Sequence, residues 1–177
     1  MLVSKLASLG QLTTILLLIS PFPSFVFCHK KSLEKNAQIA NISYKYLLAN
    51  FLCNAVWLAY SLKVENMDLI VINFLGTLIS SIFLTLYIYV KIKVGHHQRS
   101  FLLLFLTSPL LWISFSESVA IKYTGLMAVS LSVTMYAMSL DNISNTLKTR
   151  DSAQVNMGIT VACVLNGIIW SFYAILV

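Results

Sequence analysis

Charge is scarce in this chain: Asp, Glu, Lys and Arg make up 10% of its 177 residues, whereas 58% are apolar. A soluble domain carries about 25% charged residues, so too little polar surface remains to coat a globule in water. Paired cysteines are also lacking. Cys28, Cys53 and Cys163 lie singly in or beside apolar runs, which indicates neither a disulfide framework nor a zinc site. His29, His96 and His97 fall among basic loop residues, where a solvated surface explains them better than a metal site. The acids Glu34, Glu65, Asp68, Glu117, Asp141 and Asp151 all lie outside the apolar runs or at their edges. Apart from Lys45 near one end, the spans carry no ionisable group, which counts against a pump or an ion-driven carrier. No acid–base, nucleophile or metal constellation for an enzyme is visible either, so neither catalysis nor a cofactor is expected.

What is abundant is uninterrupted apolar sequence. Charge-free runs cover Leu6–Cys28, Tyr46–Leu62, Leu69–Val90, Ser100–Ser116, Tyr123–Leu140 and Ser152–Val177. Most approach the roughly 17–25 residues a helix needs to cross a bilayer, and the short second run extends back through Lys45, which can snorkel. Six transmembrane helices are therefore expected. The net charge of +6 could point to nucleic acid, but the basic residues are not gathered on one soluble face. Lys30, Lys31, Lys35, Lys91, Lys93, Arg99, Lys148 and Arg150 occupy alternate loops, and only Lys5, Lys63 and Lys122 occupy the others. That bias orients a membrane protein, with the N-terminus outside; a lipid bilayer is the expected partner and nucleic acid is not.

Two stretches look like copies of one another. In Cys53-Asn54-Ala55-Val56-Trp57-Leu58-Ala59-Tyr60 and Leu165-Asn166-Gly167-Ile168-Ile169-Trp170-Ser171-Phe172-Tyr173, an apolar run carries Asn, Trp, then Tyr three residues after the Trp. A spacing of three puts Trp and Tyr on one helix face. An interfacial aromatic belt would explain either copy alone; the repetition favours a pocket lined by two equivalent helices. Asn73 lies inside the third run, where a buried amide needs a partner from another helix or a solute. Ser20-Pro21-Phe22-Pro23 breaks or kinks the first run, as a hinge or as a tolerated kink. That run also has the basic start of a signal peptide, but its apolar stretch continues past Pro23 to Cys28. The polar groups at depth are Asn, Ser, Thr, Tyr and Trp. They suit a neutral, hydroxyl-rich ligand: amides exchange hydrogen bonds with hydroxyls, and flat indoles pack on the C–H face of a sugar ring.

These motifs resemble the SWEET (saliva-type) sugar transporters, a family related to the PQ-loop proteins. The matching residues are Ser20-Pro21 with Lys30-Lys31-Ser32-Leu33-Glu34, Trp57-Leu58-Ala59-Tyr60-Ser61, and Asn73 with Gly76. Val133-Thr134-Met135-Tyr136-Ala137, Lys148-Thr149-Arg150 and Asn166 through Ala174 continue the match in order along nearly the whole chain. The resemblance implies an all-α membrane protein of two parallel three-helix repeats joined by a linker helix. Here the first repeat would be 1–95, the linker 96–120 and the second repeat 121–177, the last lacking its third helix.

It further implies facilitated, bidirectional diffusion of mono- or disaccharides by alternating access. Trp57, Asn73, Trp170, Asn54 and Asn166 would bind the sugar, with Tyr60 and Tyr173 as gates and Pro21 as a hinge. Cys53 stands where the family often has Asn, which leaves the register of the first copy open by one residue. The family carries proline in four helices; of those places only the one at Pro21 is kept here, with Tyr46, Leu140 and Ile159 at the others. The lost prolines and the missing helix motivate an alternative, a non-transporting partner or regulator of a complete transporter. Homo- or hetero-oligomerisation, which would close the open wall, and residence in the plasma or Golgi membrane complete the expectations.

Overall fold

The computed structural model describes residues 2–20, 22, 44–93, 98–149 and 157–176. Pro21, the expected hinge, lies outside them. The described residues form six helices and no strand: α1 (Leu2–Ile19), α2 (Tyr44–Lys63), α3 (Met67–Lys93), α4 (Gln98–Phe115), α5 (Ile121–Thr149) and α6 (Met157–Leu176). They divide into two compact units, one of residues 1–42 with 138–177 and one of residues 43–137.

In the unit of residues 43–137, α2 is the central helix, packed on both α3 and α4. Twelve of its twenty residues are buried, among them Tyr46, Leu47, Leu52 and Val56, while Lys45 and Leu62 near its ends are exposed. The turn into α3 is tight because α2 ends in a Schellman cap. The Asn66 N–H donates to Ser61 O at 3.2 Å and the Glu65 N–H to Leu62 O at 3.3 Å, with Glu65 in the left-handed region at φ 54°. Asn66 then caps α3 by accepting the Leu69 N–H on Oδ1 at 3.2 Å. A second clamp fixes the far end of α4. The Lys63 ammonium donates to Ser116 O, Val119 O and Thr124 Oγ1 at 3.0, 2.9 and 2.9 Å, a cation set on carbonyls at a helix C-terminus and in the following loop.

In the other unit α1 packs along α6. The contact is polar as well as apolar: Thr13, Leu17 and Leu18 are buried from α1, and Cys163 and Asn166 from α6. The exposed positions are apolar instead, Leu12, Leu16 and Ile19 on α1 and Val161, Leu165, Ile168 and Phe172 on α6. A soluble pair of helices would show the opposite polarity. In hydrocarbon, where apolar surface gains nothing by burial, hydrogen-bonding groups are what helices bring together.

Of the six expected spans, one segment among the described residues, Met67–Tyr89 of α3, is long and apolar enough to cross a membrane; Lys5–Ile19 and Thr160–Tyr173 are shorter apolar helices. Elsewhere polar residues dilute the pattern. α2 carries Lys45, Asn50, Asn54 and Ser61, and α5 carries Lys122, Thr124, Ser130, Ser132 and Thr134. Helices also outrun the charge-free segments: α5 continues past Asp141 to Thr149 because neither Gly nor Pro stops it.

Candidate functional site

Asn54, Trp57, Tyr60 and Asn73 belong to the unit of residues 43–137, and Asn166, Trp170 and Tyr173 to the other. Each unit builds a local arrangement around its own tryptophan.

On α2, the Trp57 indole N–H donates to Ser132 Oγ of α5 at 2.9 Å. Ser132 directs its own proton to Ala128 O, four residues back, at 3.0 Å, which leaves its lone pairs for the indole. Cys53, one helical turn before Trp57, puts its sulfur 3.3 Å from the same hydroxyl. Tyr60 meets Trp57 edge-on, with ring centroids 5.5 Å apart at 87°. The Tyr60 ring in turn lies against Gly125 of α5, where an added Cβ would come within 3.1 Å of it.

On α6 the pattern recurs. The Trp170 indole N–H donates to Thr14 Oγ1 of α1 at 3.0 Å. Thr14 has acceptors for its proton in Gly10 O, four residues back, and in Asn166 Oδ1, both at 2.9 Å. Asn166, one turn before Trp170, is buried and also accepts the Thr13 hydroxyl at 3.1 Å. Tyr173 meets Trp170 edge-on at 5.3 Å and 82°. Gly10 allows α1 to approach the indole, since a Cβ there would stand 3.0 Å from Trp170 Cε2.

The repeat thus reaches beyond the trio read from the sequence. In both copies a hydroxyl of another helix accepts the indole N–H and is touched by the residue four before the tryptophan. That fixes the register left open above: Cys53, not Asn54, is the counterpart of Asn166. Asn54 has a different setting. Its amide N–H2 donates to Asn50 O at 2.7 Å and Asn50 Oδ1 at 3.0 Å, and its Oδ1 sits where a Cβ on Gly76 of α3 would have to go. Its counterpart by register, Gly167, faces open space.

Asn73 is half-buried on α3 and donates to Leu69 O at 2.8 Å. Thr13, Thr14 and Ser132 were not singled out in the sequence; the adjacent hydroxyls Thr13-Thr14 within a charge-free run were the available signal. Among the described residues no group of His, Cys, Asp and Glu is placed to hold a metal ion.

A family model described as "Sugar efflux transporter for intercellular exchange" matches residues 4–94 and 122–177. Among curated proteins, the chain is 25% identical over 178 residues to the bidirectional sugar transporter SWEET4 of Arabidopsis thaliana, covering 94% of this chain and 68% of that protein. It is 25% identical to SWEET15 of Oryza sativa subsp. indica, over 95% of this chain and 54% of that protein. With SWEET7 of Arabidopsis thaliana the identity is 26%, over 95% and 67%. The chain thus spans between about half and two-thirds of the length of these relatives.

Proposed function

Because the chain belongs to this family of sugar efflux transporters, we propose that it carries mono- or disaccharides across a membrane in both directions, down their gradient, by alternating access. It is read as an integral membrane protein of six spans, in two parallel repeats joined by α4, in the plasma membrane or the Golgi. The two blocks matched by the family model, separated by residues 95–121, support that division. The observation that carries the reading is the duplicated arrangement around Trp57 and Trp170, uncharged and built from indole, amide, thiol and hydroxyl groups. Such groups bind hydroxyl-rich solutes without an ion to drive them.

In this reading Trp57 and Trp170 stack on sugar rings, Asn73 and Asn166 exchange hydrogen bonds with hydroxyls, and Tyr60 and Tyr173 gate access. Asn54 is kept as a contributor to the wall of the site through its grip on α3, and Pro21 as a hinge. Assembly with further copies or with a relative belongs to the same reading. Counterflow of labelled glucose and sucrose in proteoliposomes tests the proposal. Trp57→Ala, Trp170→Ala and Asn73→Ala each reduce flux, with KM rising roughly tenfold where about 1.4 kcal/mol of ring stacking is lost. Unchanged flux in all three rejects the site.

A further inference from the structure

Both indole N–H groups are already spent. An indole has one donor, and in a sugar site that donor would ordinarily be counted among the groups offered to a hydroxyl. Here Trp57 Nε1 gives it to Ser132 at 2.9 Å and Trp170 Nε1 gives it to Thr14 at 3.0 Å. We propose that Thr14 and Ser132 are positioning residues that hold the two indoles by their N–H, so that each ring offers a sugar its face and not its donor. The proposal rests on the transport reading above and adds two residues and a mode of contact to it.

Three features make the clasps a built arrangement. Each hydroxyl has its i−4 carbonyl as an acceptor for its own proton, Ala128 O for Ser132 and Gly10 O for Thr14, which orients it as an acceptor towards the indole. Each is touched by a second side chain from the tryptophan's helix, Cys53 or Asn166, at the same register. In each, a glycine of the hydroxyl's helix lies beside an aromatic ring of the trio, Gly10 at Trp170 and Gly125 at Tyr60. A tryptophan pinned at its N–H and braced edge-on by Tyr60 or Tyr173 has little freedom to rotate about its χ angles, so a stacking ligand need not order it on binding.

The test uses the full chain with 15N-labelled tryptophan in lipid nanodiscs. The chain has three tryptophans, and Trp112, 81% exposed, serves as an internal control. Without sugar, the Trp170 and Trp57 N–H groups should exchange with solvent more slowly than they do once Thr14 or Ser132, respectively, is replaced. Thr14→Val should shift the Trp170 resonance and speed its exchange roughly five- to tenfold, and Ser132→Ala should do the same for Trp57 alone. An unmoved Trp112 signal reports that the unit of residues 43–137 is folded, and an unchanged thermal unfolding profile reports the same for the unit that holds Thr14.

In proteoliposomes both variants should raise KM for glucose or sucrose severalfold with little change in maximal rate, and Thr14→Ser should restore it. Unchanged exchange, or no shift, in both variants overturns the clasp. Shifted resonances with an unchanged KM overturn the positioning role. If the wild-type chain carries neither sugar, the transport reading falls and the positioning role with it, and exchange alone decides the clasp.

Discussion

The close approach of α2 and α3 at Asn54 and Gly76 gives a prediction whose sign depends on the partner residue. In a helix interior, glycine is about 1 kcal/mol less favourable than alanine, so Gly76→Ala would stabilise α3 if nothing stood nearby. The new methyl, however, would coincide with Asn54 Oδ1 and lie 2.7 Å from its Cγ. The Asn54 amide is the far end of a side chain, but two bonds to Asn50 restrain it. Overpacking a filled site costs about 1–3 kcal/mol, so the net effect of Gly76→Ala is a loss of up to about 2 kcal/mol. In an Asn54→Ala background the obstacle is gone and the same substitution gains up to about 1 kcal/mol. The cycle therefore returns a coupling of about 1–3 kcal/mol. Thermal unfolding of the four proteins in one detergent measures it. A Gly76→Ala effect of the same sign and size in both backgrounds would refute this packing.

Gly10→Ala and Gly167→Ala form a matched pair: the first places a methyl 3.0 Å from the Trp170 ring and forfeits the propensity gain, while the second meets nothing within 4 Å and gains about 1 kcal/mol. Unfolding temperatures that move equally would contradict the open face at Gly167. Lys63→Met removes three hydrogen bonds from a charged donor and costs about 1.5 kcal/mol or more; proteolysis of the 116–120 loop should accelerate, and an unchanged cleavage rate counts against the clamp. Glu65→Gly relieves a left-handed residue at φ 54° and raises stability by up to about 1 kcal/mol, read in the same unfolding assay, where a loss would be the refuting result.

Helices were the most legible part of the sequence, and their ends the least. The run Tyr46–Leu62 lies within α2 and Leu69–Val90 within α3, because a charge-free segment and the helix that carries it share a cause. Charge marks a membrane edge and not a helix end, which is why α5 runs on through Asp141. The trio of Asn, Trp and Tyr could be read from spacing, since three and four residues bring side chains together on one helix. The hydroxyls that accept the indole N–H could not. Thr14 and Trp170 are 156 residues apart and Trp57 and Ser132 are 75 apart, and periodicity within a helix says nothing about which hydroxyl of a distant helix it meets. The same limit left Cys53 and Asn54 indistinguishable as the partner of Asn166 until the shared hydroxyl identified the register.

Polarity then connects packing with transport. Where α1 meets α6 the buried side chains include Thr13 and Asn166, and the exposed ones are Leu12, Ile168 and Phe172. In water that distribution would cost free energy on both counts. In hydrocarbon the outer apolar surface costs nothing, and the inner hydrogen bonds are each worth only about 0.6–2 kcal/mol because alternative partners exist. In the proposed transport cycle, bonds of that strength would be broken and remade. A neutral sugar offers the amides and hydroxyls the same kinds of partner that they now find in one another, so exchanging one set for the other moves no net charge into the membrane. Under the proposed function, binding would then be reversible from either side with no ion, proton or nucleotide to drive it. A chain that kept the same helices but buried an unpaired carboxylate at Asn166 would face the desolvation of a charge at each reversal. An uncharged interior is therefore compatible with the proposed equilibration down a gradient.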